Sequence, residues 1–150
     1  MAYEFRANRM VEFSDTDMAG IMHFSNFFRF METAEHGFYR SLGFSVAMEE
    51  SLGLGWPRVK AECEYKHPLR FEDVVEIHIV VRKVGARSIA FDFHFSKIEH
   101  GHRIKAATGR LTVVCVTRDP ETGRMKSMPI PPEILEKIQT APPALLSSHS

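Results

Sequence analysis

The strongest constraint on the fold is a change in the spacing of apolar residues along the chain. Between positions 24 and 42 they recur every three or four residues, which places them on one face of a helix of about five turns. The members of this face are Phe24, Phe27, Phe28, Met31, Ala34, Phe38 and Leu42. Ser25 or Asn26 is suited to cap the helix start, and Gly43 to end it. We therefore predict one long helix with an aromatic core-facing side.

Elsewhere the apolar residues alternate with polar ones, which is typical of half-buried strands. One alternating stretch precedes the helix, and four follow it; they cover residues 3–13, 58–66, 75–81, 89–95 and 104–117. Gly85, Gly101 and the segment from Asp119 to Gly123 suit the reversals between strands. A strand, a long helix and then strands joined by short hairpins predict an α+β domain, with one helix on an antiparallel sheet of five or six strands.

The length and composition favour a single domain. The chain has 150 residues and is 44% hydrophobic, which suits one core and leaves little room for another. We expect the domain to occupy residues 1–138, with a short helical segment from Val46 to Leu52. Residues 139–150 are rich in proline and serine and show no period, so they are expected to form a disordered tail.

The charge balance and the cysteine and histidine patterns exclude several classes of function. Basic and acidic residues number 19 each, so no basic field favours nucleic acid or an anionic membrane as a partner. No apolar run approaches the roughly 20 residues of a membrane span, and the charged first residues do not fit a signal peptide. Cys63 and Cys115 lie far apart in alternating stretches, and the histidines form no HExxH pattern. We expect a cytoplasmic protein with two buried thiols and no metal site.

Residues able to carry chemistry are concentrated in the loop between the first strand and the helix. Within a dozen positions the loop contains Asp15, Asp17, Gly20, His23, Ser25 and Asn26. A helix start presents unpaired N–H groups, which stabilise negative charge developing on a carbonyl oxygen. A carboxylate opposite them can attack the carbonyl carbon or activate a water, the two routes of acyl transfer. Such aspartates also serve as loop and capping residues, and spacing does not decide which of the two matters.

The segment VEFSDTDMAGIMHFSNFFRFMETA resembles the signature of the 4-hydroxybenzoyl-CoA thioesterase group of hotdog-fold proteins. That signature runs roughly D-x-D-x-x-G-[IV]-x-x-[YFH]-x-x-[YF] and enters a long central helix. The matching positions are Asp15, Asp17, Gly20, Ile21, Phe24 and Phe27. The order of elements agrees over residues 3–118. The resemblance implies a sheet wrapped around one helix, and hydrolysis of an acyl-CoA thioester to a carboxylic acid and CoA.

The resemblance also implies roles for the residues of the loop. Asp17 stands at the position of the catalytic carboxylate, which is a nucleophile or a general base depending on the family member. The backbone N–H at Phe24 is expected to polarise the thioester carbonyl, while its side chain forms part of the pocket wall. Gly20, His23 and Asn26 are expected to contact the substrate, and for His23 simple packing remains an alternative. No cofactor is expected beyond the CoA of the substrate.

The CoA part of the substrate is expected at a subunit interface. The segment VGARSIAF is similar to the family's phosphate-binding stretch, which points to Arg87 and Ser88. Alternative phosphate contacts, which the sequence does not rank, are Arg58, Lys60, Arg124 and Lys126. An exposed sheet edge invites association, so we expect a homodimer or homotetramer whose sites combine two subunits. An acyl-carrier-protein thioester is an alternative substrate, because its reacting end is the same.

Two other functions remain open at this stage. A hotdog-fold dehydratase or hydratase pairs a histidine with an acidic residue, and His23 with Glu32 or Glu35 imitates that pair. However, the H-x-x-x-x-x-G-x-x-P context of such enzymes is absent after His23, and both glutamates are interpreted as ordinary helix residues. The second alternative is a non-catalytic protein that binds acyl-CoA without turnover.

Overall fold

The structure is a computed structural model that describes residues 1–47 and 53–147. It contains a five-stranded antiparallel sheet, a helix on one face of that sheet, and a small three-stranded sheet. The strands of the large sheet are β1 (Glu4–Met10), β3 (Arg58–Tyr65), β4 (Val74–Val84), β5 (Ser88–Glu99) and β6 (His102–Val114). They are arranged in the order β1-β4-β5-β6-β3, so β1 and β3 are the edges. The predicted α+β architecture is confirmed.

The long helix α1 (Asn26–Ser41) packs its aromatic face on the middle of the large sheet. The largest fully buried side chains from both elements are Phe30, Met31, Phe38, Tyr39, Ile77, Ile79, Phe91, Phe93 and Phe95. The helix ends where the sequence predicts, because Gly43 follows the last turn with a φ of +95° that favours glycine. Phe27, in the first turn, contacts Tyr65 and Phe95 with ring centroids 5.0 and 5.4 Å apart. The helix start is thereby fixed at one end of the sheet.

The apolar side of β3 is not buried in the structure, although its alternation predicted an inner face. Val59 is 62% exposed and Tyr65 is 45% exposed, and Cys63 is only half-buried. These side chains stay exposed because β3 is an edge strand and because α1 packs more extensively against β1 and β4 than against β3. Cys115, in contrast, is buried as expected.

The small sheet and a short helix complete the described part of the chain. Strands β2 (Leu54–Gly55), β7 (Val116–Arg118) and β8 (Met125–Ser127) form the small sheet, and α2 spans Pro132–Leu135. Most of the segment predicted as helical from Val46 to Leu52 lies outside the described residues, and Val46 and Ala47 are not helical. None of the described helices is both long and apolar enough to cross a membrane.

Residues 139–147 lie against the sheet, whereas the sequence predicted a disordered tail from residue 139. The Ala141 N–H donates to the Val81 carbonyl at 2.8 Å, and the Ser147 N–H donates to the Asp92 carboxylate at 2.8 Å. This contact lies on the sheet face opposite α1, where Asp92 is completely buried. Composition does not reveal the contact, because it depends on a carboxylate far away in the sequence.

Candidate active site

The loop between β1 and α1 folds back on itself as a small hairpin. Its backbone pairs Asp15 with His23 and Asp17 with Ile21, through N–H···O bonds of 2.8 and 3.0 Å. Gly20 lies in the reversal with a φ of +78°, a conformation that other residues rarely adopt. The hairpin brings the predicted residues of the loop into one local structure beside the start of α1.

Asp15 holds the loop in shape. Its side chain is 8% exposed, and its Oδ2 accepts the Glu12 N–H at 2.9 Å. Its carbonyl oxygen accepts the side-chain amide of Asn26 at 2.8 Å and the His23 N–H at 2.8 Å. The carboxylate of Asp15 is therefore used inside the loop, and Asn26 joins the loop to the first turn of the helix.

Asp17 has a different environment from Asp15. Its side chain is half-buried, and its Oδ1 accepts the Ala19 N–H at 2.8 Å. Its Oδ2 makes no hydrogen bond to any residue in the described parts of the chain. The Ala19 hydrogen bond to Oδ1 therefore orients the carboxylate, while the lone pairs of Oδ2 remain available to a substrate or a water. This arrangement suits a nucleophile or a general base.

Phe24 supplies a free backbone donor just before α1. Among the hydrogen bonds of residues 1–47 and 53–147, none has the Phe24 N–H as its donor. The Phe24 carbonyl oxygen accepts the hydroxyl of Tyr65 at 3.0 Å, which fixes one side of the residue. The first turn of α1 carries no acidic residue, so no carboxylate of its own offsets the positive end of the helix dipole. This N–H is therefore suited to bind a carbonyl oxygen that gains negative charge.

His23 makes local contacts at the same place. Its Nδ1 lies 2.8 Å from the Ser25 Oγ and accepts the Ser25 N–H at 3.2 Å. Its ring stacks on Phe24 with 4.5 Å between centroids. Because Nδ1 accepts the amide, the neutral ring carries its proton on Nε2. His23 thus helps to order the helix start.

Arg87 and Ser88 lie far from this loop in the structure. Ser88 pairs with Val114 at one end of β5, whereas Phe95, which contacts the helix start through Phe27, lies seven positions along the strand. At the rise of a strand this separation is about 23 Å. The Arg87 guanidinium donates to the Ser127 carbonyl at 2.9 Å and remains exposed.

A buried polar cluster around Glu35 was missed by the sequence interpretation, which treated this glutamate as an ordinary helix residue. Glu35 is completely buried, and its carboxylate accepts the Tyr39 hydroxyl at 3.0 Å and pairs with Arg58 of β3. Burial raises the pKa of Glu35, and the Arg58 charge opposes that rise. The signal was available, because Glu35 lies at helical spacing from Met31 and Phe38 on the buried face.

The two thiols are not a second reactive centre, and the described residues contain no metal-binding cluster. Burial raises the pKa of Cys63 to about 11, and it also raises the pKa of Cys115. Both thiols therefore stay protonated near neutral pH and are weak nucleophiles. Within the described ranges, no group of three or more His, Cys, Asp or Glu side chains is arranged to hold a metal ion.

Comparison with known proteins agrees with this architecture. Residues 11–138 match the family model described as the thioesterase-like superfamily. A protein named as a putative esterase from Aquifex aeolicus is 36% identical over 135 residues, which are 90% of this chain and 98% of that protein. The structure of a gentisyl-coenzyme A thioesterase superimposes with a TM-score of 0.73 and 30% identity, over 89% of this chain and 98% of that one.

A more distant structure shows the same fold. The 4-hydroxybenzoyl-CoA thioesterase from Pseudomonas sp. strain CBS-3 superimposes with a TM-score of 0.81, at 20% identity, over 90% of this chain and 99% of that one. The hotdog fold that the motif implied is thus confirmed. On the family match and the extent of these similarities, the chain belongs to the thioesterase-like superfamily and is a thioester hydrolase of the hotdog fold.

Proposed function

We propose that the protein hydrolyses an acyl-CoA thioester to a carboxylic acid and CoA, with Asp17 as its catalytic carboxylate. The observation that carries this proposal is the pairing, in one loop, of a carboxylate oxygen without a partner and a backbone N–H without a partner. The first belongs to Asp17 and the second to Phe24, and both stand beside the start of α1. These are the two groups that acyl transfer requires.

In the proposed reaction, the Phe24 N–H donates a hydrogen bond to the thioester carbonyl oxygen. The Asp17 Oδ2 then either attacks the carbonyl carbon or removes a proton from an attacking water. In the first route the C–S bond breaks, CoA leaves as a thiolate that takes up a proton, and water hydrolyses the acyl-aspartyl anhydride. In the second route the hydroxide adds directly and the same C–S bond breaks. Both routes consume one water and release a carboxylate and CoA.

We also propose that the protein belongs to the 4-hydroxybenzoyl-CoA thioesterase group, which its loop motif resembles, and that the acyl group of its substrate is aromatic. It is supported by the relative at 30% identity whose name gives gentisyl-coenzyme A as its substrate. The same name favours CoA over a carrier protein as the thiol part of the substrate. The aromatic side chains of His23 and Phe24, stacked on each other beside the free N–H, suit a flat acyl group.

We also propose that the working unit is at least a homodimer formed through β3. The strand is an open edge with an exposed apolar side chain, Val59, and such edges pair readily. Antiparallel pairing of two copies places the Arg58 end of one strand beside the Tyr65 end of the other. Arg87 lies at the Arg58 end of its own sheet, so the pairing carries it towards the other subunit's loop, where it is suited to meet CoA phosphates.

Replacement of Asp17 by Asn tests the proposed chemistry. We expect the D17N variant to lose about 100-fold or more of its turnover on aromatic acyl-CoA thioesters, because the amide neither attacks nor accepts a proton. The melting temperature should stay close to that of the wild type, since the Asn oxygen keeps the bond from Ala19. Thiol release would be measured across short, long and aromatic acyl-CoAs.

Asp119 offers a matched control, because its Oδ1 accepts the Glu121 N–H at 2.8 Å in the same geometry, outside the proposed site. The Asp119→Asn variant should hydrolyse substrate at the wild-type rate. Equal turnover by Asp17→Asn and the wild type would refute the role of Asp17. If the wild type binds acyl-CoA but hydrolyses no thioester, the result would favour the non-catalytic acyl-CoA-binding protein.

The dehydratase alternative gains no support from the site. Glu35 is completely buried and is already bonded to Tyr39 and Arg58, so its carboxylate is not free to exchange a proton with a substrate. Assays with 3-hydroxyacyl-CoA and enoyl-CoA would follow the gain or loss of conjugated absorbance. We expect no change in absorbance with either substrate.

A further inference from the structure

The first arm of the active-site loop, residues 12–17, is tied to the helix through Asn26. The Asn26 side chain, in the first turn of α1, donates through its Nδ2 to the Asp15 carbonyl oxygen at 2.8 Å. Among the residues that the structure describes, no other hydrogen bond joins the first arm to α1. The first arm carries Asp17, and Phe24 stands just before the helix. This bond therefore connects the two parts of the proposed site.

The returning arm of the loop, residues 21–23, has an anchor of its own. The Met22 N–H donates to the carbonyl oxygen of the buried Leu69, in the segment that leads into β4, at 2.7 Å. The first arm is held to the returning arm by the backbone hydrogen bonds of the hairpin. A two-stranded hairpin is only marginally stable without further contacts. The position of Asp17 relative to the helix therefore depends on Asn26 as well.

Asn26 does not cap the helix, although the sequence made it suited to that role. The N-cap residue is Ser25, and its side chain makes no capping hydrogen bond. The Ser25 Oγ lies 2.8 Å from the Nδ1 of His23 instead, and the Asn26 amide bonds to the Asp15 carbonyl. A side-chain cap normally stabilises a helix. Both residues suited to capping are thus used on the loop.

The Asp15 carbonyl oxygen is where the loop and the helix meet. It accepts the His23 N–H at 2.8 Å from within the hairpin and the Asn26 amide at 2.8 Å from the helix. A carbonyl oxygen has two lone pairs, so both of its acceptor positions are filled. Asp17 follows only two residues later along the same arm. A restraint on the Asp15 carbonyl therefore also restrains the backbone that carries the Asp17 carboxylate.

We propose that Asn26 is a positioning residue, which holds the first arm so that the Asp17 carboxylate and the Phe24 N–H stay at the separation that one thioester carbonyl requires. The inference rests on the proposed function. In this role Asn26 acts through the loop and does not contact the substrate, in contrast to the substrate contact that the family resemblance implied. A displacement of reacting groups by about 1 Å lowers the rate by up to about 100-fold.

The variant Asn26→Leu tests the proposal. Leucine has a similar volume and a higher helix propensity than asparagine, but it has no donor for the Asp15 carbonyl. The melting temperature should therefore change little. We expect kcat to fall about 10- to 100-fold, because the arm is free to move. The KM should change by less than about twofold, since no substrate contact is lost.

The variant Thr33→Val is the matched control. The Arg9 guanidinium donates to the Thr33 Oγ1 at 2.8 Å, so this bond also joins α1 to the chain before it, but outside the loop. Valine keeps the shape of threonine and removes the bond. Thr33→Val should leave kcat at the wild-type value. Equal losses of kcat in Thr33→Val and Asn26→Leu would overturn the proposal, because any loosening of the helix would then be sufficient.

A double variant separates positioning from a general structural defect. In the Asp17→Asn background the carboxylate that Asn26 positions is absent, so adding Asn26→Leu should lower the residual kcat by less than about twofold. A full additional loss in that background would overturn the proposal. A raised KM with an unchanged kcat in Asn26→Leu alone would also overturn it, since that result assigns Asn26 to substrate binding.

Amide hydrogen exchange tests the restraint without any substrate. The N–H groups of Asp17 and His23 both take part in the hairpin. In Asn26→Leu they should exchange about three- to tenfold faster than in the wild type, because one hydrogen bond is lost. Amides in the middle of α1 should be unaffected. If the wild type hydrolyses no thioester, the proposed function fails, and exchange alone decides whether Asn26 restrains the loop. Unchanged exchange at both positions would overturn that restraint.

Discussion

Tyr65 links the edge of the sheet to the free N–H of the proposed active site. Its hydroxyl donates to the Phe24 carbonyl at 3.0 Å, and its ring packs edge-on against Phe27. Phe24 itself is 62% exposed, so few packing contacts hold its backbone. The hydroxyl contact therefore orients a residue whose N–H has to meet a carbonyl oxygen accurately. Tyr65 acts through Phe24 and is a positioning residue.

Removal of this hydroxyl should slow catalysis without weakening substrate binding. We expect Tyr65→Phe to lower kcat about three- to tenfold, because a neutral hydrogen bond contributes about 1 kcal/mol. The KM should change little. The ring contact with Phe27 is kept, so the melting temperature should change by no more than a few degrees. Tyr3→Phe is the control, since the Tyr3 hydroxyl makes no hydrogen bond to the described residues. An unchanged kcat in Tyr65→Phe would remove Tyr65 from the site.

At the level of single residues, the sequence located the loop but not the buried polar groups of the fold. The motif placed Asp17 and Phe24 in one segment, and a local segment keeps its residues together in any fold. The environments of Trp56 and Glu35, in contrast, depend on which distant residues surround them in the folded structure. The pairing of Glu35 with Arg58 joins a helix to an edge strand, and no periodicity encodes such a contact. The unpartnered indole N–H of Trp56 is likewise visible only in three dimensions.

Among the elements, the contact between α1 and β6 depends on one glycine. A Cβ built on Gly109 would lie 2.1 Å from the Met31 Cε and 2.9 Å from its sulfur. Periodicity correctly predicted both elements, because each has a long apolar face. It did not predict how closely they approach, nor that the apolar side of β3 stays uncovered. Those features depend on strand order, which the sequence pattern leaves open.

The variant Gly109→Ala tests this close approach. Met31 is fully buried, so its end has little space to move away from an added methyl group. We expect the free energy of unfolding to fall by about 1–3 kcal/mol, as is usual for overpacked cores. Denaturant unfolding followed by circular dichroism would measure the loss. The double variant Gly109→Ala/Met31→Leu should recover part of it, because leucine is shorter, and full stability of the single variant would contradict this packing.

At the scale of the whole molecule, the sheet has two different faces. One face is covered by α1, and the other carries the buried carboxylate of Asp92, paired with Arg82 at 2.7 Å. Residues 139–147 cross this second face, where the Ser147 N–H and hydroxyl both donate to Asp92. A buried carboxylate is stable only when such donors surround it. Residues 139–147 therefore add hydrogen-bond donors to a charged cluster that lies on the sheet.

Truncation after Gln139 should destabilise the protein. The change removes the two Ser147 donors from Asp92, which stays buried in part, and also the Ala141 bond to Val81. We expect the free energy of unfolding to fall by about 2–3 kcal/mol, measured by urea unfolding, because bonds to a charged group are stronger than neutral ones. The single change Ser147→Ala should cost about 1 kcal/mol, whereas Ser14→Ala, at an exposed serine, should cost almost nothing. If the truncated protein unfolds at the same urea concentration as the full chain, the tail does not hold Asp92, and the disorder expected from its composition is the better description.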